Sequence, residues 1–485
     1  MSEGGRVGEV LRPDLCVIGA GSGGLSVAAI AASFGVPVVL IEKGRMGGDC
    51  LNVGCVPSKA LIAAAARAHA ARTADAFGVE WANPRSDPAR LRAHIEGVIA
   101  AIAPNDSAAR FSALGVQVIL AAARFTGRRS VVAGDAVIEA RRVVLACGSV
   151  PALPPIPGLD AVPYLTNETV FDLDARPERL IVIGGGPIGV ELAQAHRRLG
   201  AEVVILEAAR ILPRDDPEMA AVVERALARD GVEIHAGVAI EGVERREERI
   251  VLTVRTADGW RGTVTGSHLL VATGRRPVTD GLGLEAAGIA FDGSGIKVDK
   301  GLRTTNKRVY AIGDCVGGEA GALRFTHVAN YHAGIVVRRA LFRLPARVDN
   351  AKVPRVTFTD PELASVGLSE EEARAGHRAI RILRWPLSEN DRAQAERATD
   401  GHLKAVVTPG GRILGCAIAA PHAGDLIVPW ALALSKGLKV QDLAGIVFPY
   451  PTLSEVTKRA AVEFVRPAAQ NPWLRRVIAA VRRLG

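Results

Sequence analysis

Cys50 and Cys55 are the residues whose type and spacing are best suited to chemistry. They stand in the run Gly47-Gly-Asp-Cys-Leu-Asn-Val-Gly-Cys-Val-Pro-Ser-Lys59. Two thiols this close in sequence can store two electrons by breaking and re-forming a disulfide. A zinc site is a poorer explanation, because it needs two further ligands and the nearest other cysteine is Cys16. The spacing alone leaves open an incidental pair of buried thiols.

The composition around this pair is that of several packed domains. The chain has 485 residues, of which 48% are hydrophobic and 23% are charged, and these values exclude wholesale disorder. At about 100–200 residues per domain, the length predicts three or four domains. Six cysteines are too few for a disulfide scaffold. The net charge of +9 comes mainly from 50 scattered arginines, so we expect no nucleic acid partner.

We expect the protein to be cytoplasmic and in a reducing environment. Residues 1–13 are polar and glycine-rich, and they lack the apolar core of a signal peptide. No stretch reaches about 18 uninterrupted apolar residues, so the sequence predicts no membrane-spanning helix.

Two segments of the first half repeat one pattern. Each has an apolar strand, a glycine turn, a helix and a second apolar strand ending in glutamate, with 23 residues from the first glycine to the acid. This is the βαβ fingerprint of a dinucleotide site. Its glycines allow a tight turn, close approach of the pyrophosphate and close helix packing, and its acid binds a ribose. The positions are Gly19, Gly21, Gly24 and Glu42 in the first copy, and Gly184, Gly186, Gly189 and Glu207 in the second.

Glu207 also bears on the choice between NAD and NADP. A carboxylate at this position repels the 2′-phosphate of NADP and favours NAD. Arg210 lies three residues further on and could pair with such a phosphate. The sequence therefore predicts NADH as the preferred electron donor and leaves NADPH open.

The cysteine run resembles, almost letter for letter, the redox-active disulfide motif of the class I pyridine nucleotide–disulfide oxidoreductases. That family includes dihydrolipoamide dehydrogenase, glutathione reductase and mercuric reductase. Three further stretches, at residues 272–277, 311–314 and 354–367, also resemble motifs of this family. The resemblance extends from about residue 15 to about residue 467. It implies an α/β fold with two Rossmann-like dinucleotide-binding domains and a C-terminal α+β dimerisation domain.

On this resemblance the chain is a homodimer subunit with one FAD, divided into five segments. They are an FAD-binding domain at 1–155, an NAD-binding domain at 156–276, a central segment completing the FAD domain at 277–350, an interface (dimerisation) domain at 351–467 and an amphipathic basic tail at 468–485.

The resemblance also implies roles for individual residues. Glu42 would bind the ribose of the FAD adenosine, and Asp314 the ribityl chain of the flavin, while the second βαβ unit would hold the nicotinamide nucleotide. Lys59 matches a lysine beside flavin N5, and Glu191 matches the glutamate that pairs with it. Two further cofactor-binding positions lie in matching stretches, namely Thr326 and Gly274.

These parts suggest a mechanism. NADH would deliver a hydride to one face of the flavin, and two electrons would pass to the Cys50–Cys55 disulfide on the other face. By resemblance, Cys55 becomes the charge-transfer thiolate and Cys50 is the interchange thiol that meets the acceptor. A helix N-terminus after Cys55 and the charge of Lys59 would favour the thiolate.

The C-terminal motif departs from that of the disulfide reductases in this family. They carry His-Pro-Thr followed shortly by Glu, and the histidine is the acid–base catalyst for the thiols of the other subunit. Here Tyr450 replaces the histidine and Glu455 remains. A phenol with a pKa of about 10 is a poor proton shuttle near neutral pH, where an imidazole at about 6.5 is well matched. The histidines that could substitute are His327, His332 and His422.

A tyrosine at this position resembles mercuric reductase, in which thiolates bind Hg²⁺ and no thiol needs a proton shuttle. Soft thiolates suit a soft metal. Mercuric reductases also have a C-terminal vicinal cysteine pair and an N-terminal metal-binding domain with a paired-cysteine motif. We expect neither here, since the last cysteine is Cys416 and only Cys16 precedes Cys50. Cys147 and Cys315 are interpreted as core thiols, and no resident metal is expected.

Three functions follow from these observations. The first is an FAD-dependent NAD(P)H oxidoreductase that passes electrons through Cys50 and Cys55 to a metal ion or another small, non-glutathione acceptor. The second is a dihydrolipoamide dehydrogenase with unusual acid–base chemistry. The third is a low-turnover flavin redox sensor or membrane-associated partner protein.

The tail motivates the third function. Asn471 and Pro472 form a plausible helix start. The apolar residues that follow at helical spacing, beside four arginines, are Trp473, Leu474, Val477, Ile478, Val481 and Leu484. About 13 residues at about 1.5 Å each are too short to span a bilayer. The tail is therefore expected to lie on an anionic membrane surface, to dock on a partner, or to pack against its own dimer.

Overall fold

The structure, a computed structural model, describes residues 9–81 and 84–483. It divides into two compact units. The first comprises residues up to 178 together with 243–250 and 267–350, and the second comprises 179–242, 251–266 and the residues from 351 onward. The finer division into five segments stays a prediction.

A five-stranded parallel sheet forms the centre of the first unit. Its strands are runs of valine, leucine and isoleucine, and most of these side chains are buried, as a sheet covered on both faces requires. In sheet order the strands are Val309–Ala311, Arg142–Leu145, Leu15–Ile18, Val38–Glu42 and Gln117–Leu120. The helices of this unit are Ser22–Ser33, Gly48–Asn52, Cys55–Arg72, Pro88–Ile102, Ala108–Ala113 and Thr326–Ala340.

Smaller sheets complete the first unit. One has four strands, in the order Val10–Leu11, Ala136–Ile138, Val131–Ala133 and Ala123–Phe125. Two strand pairs are Ser149–Pro151 with Arg275–Pro277, and Phe291–Asp292 with Gly295–Ile296. A further strand is His268–Val271, and two strands that contain residues of both units are Val238–Arg246 and Arg249–Thr256.

The second unit contains a parallel and an antiparallel sheet. The parallel strands are Glu233–Ala236, Glu202–Glu207 and Arg179–Ile183. The antiparallel strands, in sheet order, are Arg355–Thr357, Glu362–Gly367, Ile413–Ala420, His402–Val407 and Arg381–Pro386. The remaining strand is Arg261–Gly266, and the helices are Pro187–Arg198, Pro217–Arg229, Glu370–Gly376, Asp391–Ala395, Ala423–Leu426, Val428–Lys436, Val440–Ala444, Glu455–Val465 and Pro472–Val481.

The two βαβ repeats have the same strand register. Leu15 lies opposite Val38 in the first, and Leu180 lies opposite Val203 in the second. The predicted α/β fold, with two Rossmann-like βαβ units and a C-terminal α+β domain, is confirmed. Within residues 9–81 and 84–483, the helices are all too short or too polar to cross a bilayer.

Candidate active site

The first glycine turn leads strand Leu15–Ile18 into helix Ser22–Ser33. Gly19 has a φ of +104°, and a Cβ there would lie 2.4 Å from the carbonyl oxygen of Ala146. A Cβ on Gly24 would lie 1.9 Å from the carbonyl oxygen of Gly19. The fold itself therefore requires glycine at the first and third positions of the fingerprint.

The second glycine of each turn has a different explanation. Among the described residues, a Cβ on Gly186 would meet no atom within 4 Å, and one on Gly21 would meet only the Cα of Gly48, at 3.9 Å. Both glycines have extended backbone, and each immediately precedes a helix. Because internal packing does not require a glycine there, the open space fits the approach of a dinucleotide pyrophosphate to the helix N-terminus.

The acids of the two fingerprints make equivalent hydrogen bonds. Glu42 accepts from the backbone N–H groups of Ala20 and Gly44, at 2.6 and 2.7 Å. Glu207 makes the same two bonds, at 2.6 and 2.8 Å, to the N–H groups of residues 185 and 209. Each carboxylate is therefore held beside its glycine turn, where the fingerprint places a ribose.

The Arg210 guanidinium is occupied by its own loop. It donates to the carbonyl oxygens of Ile211, Leu212, Pro213 and Asp215, at 2.6 to 3.3 Å. Binding a 2′-phosphate would require it to give up these acceptors. The contacts therefore support the predicted preference for NADH.

Glu207→Gln is expected to raise kcat/KM for NADPH relative to NADH about tenfold, which corresponds to about 1.4 kcal/mol. The substitution keeps a polar side chain and removes the charge that repels the 2′-phosphate. Steady-state kinetics with both donors and one fixed artificial acceptor measure this ratio. The matched control is Glu202→Gln, an exposed acid at the start of the same strand, which should leave the ratio unchanged. An unchanged ratio in Glu207→Gln would contradict the assignment.

Cys55 is the first residue of helix Cys55–Arg72, and Cys50 lies in the short helix before it. Both side chains are free thiols, with Cys55 exposed and Cys50 half-buried. A Cβ on Gly54 would lie 2.9 Å from the carbonyl oxygen of Asp49. The turn between the two cysteines is therefore tight enough to need glycine.

The two thiols differ in their ability to carry a charge. A hydrogen bond to Cys55, burial and the charge of Cys55 raise the pKa of Cys50 well above its ordinary value. The Cys55 sulfur lies 3.2 Å from the Thr326 hydroxyl oxygen and stands at the start of an 18-residue helix, which stabilises an anion. The arrangement favours a Cys55 thiolate beside a protonated Cys50.

Cys50 lines a cavity of about 300 Å³ in the first unit. Ser22 and Gly47, beside the first glycine turn, line the same cavity, and so do Asp106 and Arg110. Burial raises the pKa of Asp106, and the charge of Arg110 opposes that shift. The cavity thus extends from the first glycine turn to the Cys50 thiol, and it is lined by two charged residues that the sequence did not single out.

Lys59 and Glu191 belong to different units. The Lys59 ammonium donates to the hydroxyl of Ser58 at 3.3 Å. Glu191 is only 6% exposed, and its carboxylate accepts the backbone N–H of Phe358 at 2.9 Å. Both side chains are therefore anchored locally, and their pairing beside the flavin stays a prediction.

Arg275 connects the cysteine-containing segment at residues 47–59, which we call the redox loop, to the body of the first unit. Its guanidinium donates to the carboxylate of Asp49 and, at 3.2 Å, to the side-chain oxygen of Asn167. The Asn167 amide in turn donates to the carbonyl of Val53 at 3.2 Å. Arg275 thus holds the residue before Cys50 directly and Val53, between the cysteines, through Asn167.

The same guanidinium is also linked, through the Ser149 hydroxyl, to Asp314, the aspartate predicted to bind the flavin. It donates to the hydroxyl of Ser149 at 2.7 Å, and that hydroxyl donates to Asp314 at 2.7 Å. Arg275 lies within the stretch at 272–277 that contains Gly274, but its type and spacing did not single it out as a site residue. We infer that it positions the redox loop relative to Asp314.

Arg275→Ala is expected to lower the free energy of unfolding by about 3 kcal/mol. The Arg275 side chain is only 16% exposed, and its removal leaves several hydrogen-bond acceptors without their donor. Urea unfolding of the FAD-loaded protein measures this change. The neighbouring Arg276, 54% exposed and paired with Asp280, is the matched control, and Arg276→Ala should change stability by less than about 0.5 kcal/mol. Equal effects at the two positions would contradict the positioning role.

Tyr450 lies in the second unit and is 69% exposed. Its hydroxyl donates to Asp391 at 3.0 Å, and this hydrogen bond and the charge of Asp391 raise the pKa of the phenol above its ordinary value. Glu455 begins helix Glu455–Val465 and lies 3.8 Å from the Arg459 guanidinium. Asp391, which the sequence did not single out, is thus the hydrogen-bond partner of the tyrosine.

The three alternative histidines differ in their surroundings. His332 is fully buried, accepts the backbone N–H of Gly313 at 3.2 Å, and has a pKa lowered by burial to about 4. The exposed His327 ring stacks on Phe325. His422 is an exposed residue with a φ of +56° at the start of a four-residue helix. His332 is therefore a core residue, whereas the stacking of His327 and the position of His422 at a helix start do not by themselves indicate a role in proton transfer.

The remaining thiols fit the expected core role only in part. Cys16, Cys315 and Cys416 are buried, whereas Cys147 is half-buried. Burial raises the pKa of Cys416 well above its ordinary value, which makes it a poor nucleophile. In the described parts of the chain, no three His, Cys, Asp or Glu side chains are grouped closely enough to hold a metal ion.

Comparison with known proteins gives matches along most of the chain. The family described as pyridine nucleotide-disulphide oxidoreductase matches residues 13–333, and its dimerisation domain matches residues 353–461. The mercuric reductase of Streptomyces lividans is 38% identical over 468 residues, covering 94% of this chain and 97% of that protein. The dihydrolipoyl dehydrogenase of Geobacillus stearothermophilus is 36% identical over 459 residues, covering 93% and 96%.

Solved structures of related proteins also match most of the chain. The Cu(II) complex of the HOCl-induced flavoprotein disulfide reductase RclA from Escherichia coli has a TM-score of 0.81 and 29% identity, covering 92% of this chain and 98% of that one. LpdA from Mycobacterium tuberculosis has a TM-score of 0.84 and 30% identity, covering 93% and 99%. Relatives with different names are thus similar to this chain to nearly the same degree, so overall identity does not choose the electron acceptor.

Proposed function

Because the chain belongs to the pyridine nucleotide–disulphide oxidoreductase family, with FAD and NAD(P)H as its cofactors, we propose that it is an NADH-dependent reductase of a metal ion. The metal ion, or another small acceptor that needs no proton shuttle, would be bound by Cys50 and Cys55 as thiolates. The dimerisation domain at residues 353–461 supports a homodimer.

The observation that carries this proposal is the state of Tyr450. A thiol or disulfide substrate needs a group that takes up and returns protons near neutral pH. The Tyr450 hydroxyl instead donates a hydrogen bond to Asp391 at 3.0 Å, and this contact raises the pKa of the phenol further above neutrality. This arrangement disfavours dihydrolipoamide and glutathione and favours an acceptor that the thiolates bind directly.

A soft metal ion is the acceptor class that suits two thiolates best. The reaction would be NADH + Hg²⁺ → NAD⁺ + H⁺ + Hg⁰, or NADH + 2 Cu²⁺ → NAD⁺ + H⁺ + 2 Cu⁺. In both cases the two electrons of one hydride reduce the metal, and one proton is released. The mercuric reductase relative and the Cu(II) complex of RclA support this class.

The residues present would divide the work as follows. Glu42, Asp314 and the first glycine turn would hold FAD, which supplies two-electron transfer between the nucleotide and the thiols. Cys55, at the helix N-terminus beside Thr326, would carry the negative charge. Cys50 would meet the acceptor, in keeping with its resemblance to the interchange thiol of the family.

By its resemblance to the family, each acceptor site would combine residues of two subunits. Cys50 and Cys55 of one subunit would face Tyr450 and Glu455 of the partner subunit. A monomer should therefore be inactive.

An anaerobic titration of the NADH-reduced protein tests the proposal. One equivalent of Hg²⁺ or two of Cu²⁺ should reoxidise it rapidly, whereas lipoamide and glutathione disulfide should react at least about 100-fold more slowly. Consumed NADH and reduced metal are counted against the stoichiometries above. Metal ions that leave the reduced protein unchanged would overturn the proposal.

Dihydrolipoamide dehydrogenase is the second candidate, favoured by the 36% identity over 459 residues to a protein of that name. Turnover of dihydrolipoamide with NAD⁺ at rates comparable to metal-ion reduction would establish it instead. Rapid turnover of either substrate would also exclude a low-turnover redox sensor.

A further inference from the structure

More than half of the net charge of the chain lies in its last 22 residues. Residues 464–485 contain five arginines and no aspartate or glutamate, so they carry +5 of the total of +9. The other 463 residues therefore carry only +4. This acid-free basic segment lies outside the segments that match the family.

The same residues form a capped helix, Pro472–Val481. The side-chain oxygen of Asn471 accepts the N–H groups of Trp473 and Leu474, at 2.9 and 3.4 Å. Proline follows at the first helical position, as predicted, because its fixed φ suits a helix start. No residue of this helix is buried, so packing within its own unit does not account for its sequence.

The two faces of the helix have opposite character. At about 100° per residue, the large apolar side chains cover an arc of about 140° and the arginines point to the other side. The apolar side chains are Trp473, Leu474, Val477, Ile478 and Val481, and the arginines are Arg475, Arg476, Arg482 and Arg483. Trp473, Ile478 and Val481 are 69%, 51% and 57% exposed. Leu484, which was predicted from its spacing to lie on the apolar face, lies outside the described residues.

We propose that residues 472–483 bind the surface of an anionic membrane, and we call this segment the tail helix. A short helix with tryptophan and aliphatic residues on one face and arginines on the other can lie in the bilayer interface. Its apolar side would enter the headgroup region, while the arginine side chains would extend toward lipid phosphates.

Charge complementarity favours this occupant over a second copy of the tail helix. Two copies packed through their apolar faces would leave eight arginines on the outside of the pair, without a single acid in either segment to balance them. An anionic bilayer supplies negative charge on every side of the helix without specific pairing. A homodimer would present two tail helices, and the second binds more readily once the first is held.

Co-sedimentation of the FAD-loaded dimer with lipid vesicles tests the proposal. Vesicles of phosphatidylcholine with phosphatidylglycerol should retain the protein, and pure phosphatidylcholine should retain at least ten-fold less. Raising NaCl from about 0.1 to about 0.5 M should release it, because the interaction is screened. Trp473→Ala and the double variant Arg475→Glu/Arg482→Glu should each weaken retention at least ten-fold.

Trp260→Ala is the matched control, since Trp260 is 56% exposed and lies far along the chain from the tail helix. It should bind vesicles like the wild type, and light scattering should give every variant the same mass. Equal retention by both lipid compositions, or wild-type retention by Trp473→Ala, would overturn the proposal. So would a change of dimer mass in Trp473→Ala, because the apolar face would then belong to the subunit interface. None of these readouts depends on the identity of the electron acceptor.

Discussion

Replacing Cys55 with serine is expected to abolish the broad long-wavelength absorbance of the protein after anaerobic reduction by NADH. That absorbance needs an anionic sulfur beside the flavin, and a serine hydroxyl stays protonated near neutral pH. Cys55 is the sulfur that the helix N-terminus stabilises and that lies 3.2 Å from the Thr326 hydroxyl oxygen. Reduction of the acceptor should fall by about 10³-fold or more, since both thiols act as one unit.

Two further variants separate the roles of the cysteines. Cys50→Ser should show the long-wavelength absorbance already before NADH is added, because Cys55 can no longer form the disulfide and stays a thiolate beside the oxidised flavin, yet it should lose acceptor reduction to the same extent. Cys416→Ala, at a buried thiol in the antiparallel sheet, should keep both properties. Absorbance spectra and steady-state rates on the same preparations measure the difference. Persistence of the absorbance in Cys55→Ser would show that another group carries the charge.

The predictable part of this protein consists of short-range patterns with a steric reason. Gly19 and Gly24 could be assigned from the sequence because any side chain there would collide with backbone, so only glycine fits. The strands beginning at Leu15 and Val38 could be assigned because parallel strands in a covered sheet are continuous apolar runs. Each of these sequence patterns spans fewer than about 30 residues, although the Ala146 carbonyl that excludes a side chain at Gly19 lies far along the chain.

The contacts around the redox loop could not be predicted in the same way. Arg275 bonds to Asp49 and Ser149, which lie 226 and 126 residues away along the chain. Tyr450 bonds to Asp391, 59 residues away. The spacing of residues in one sequence holds no information on such long-range pairs, so arginines and aspartates that position the site resemble those that simply face solvent.

The basic C-terminal segment is the opposite case. Its charge can be read from the sequence alone, but the structure is needed to interpret it. The absence of acids after residue 463 is visible by inspection. Without the structure, however, the apolar side chains among those arginines could equally be buried in the same subunit. The exposure of Trp473 and Ile478 removes that explanation for the helix within its own unit.

Tyr450→His is expected to raise the oxidation of dihydrolipoamide by NAD⁺ by about 10²-fold or more, while metal-ion reduction stays within about threefold. An imidazole with a pKa of about 6.5 can take and return a proton near neutral pH, and such a catalyst contributes typically about 10²–10⁴-fold. Glu455, the acid that orients the histidine in the disulfide reductases, is already present at the start of its helix. Steady-state rates with both substrates, each as a function of pH, measure the effect.

Tyr450→Phe distinguishes a gained imidazole from a lost phenol. It removes the hydroxyl that donates to Asp391 and introduces no proton carrier, so it should give no gain with dihydrolipoamide. Only Tyr450→His should show a new ionisation near pH 6.5 in kcat/KM for dihydrolipoamide. If the wild type already oxidises dihydrolipoamide rapidly and Tyr450→Phe abolishes that activity, the phenol is itself the acid–base catalyst. The choice of acceptor would then rest with another part of the site, and the two cysteines would act on a thiol substrate rather than on a metal ion.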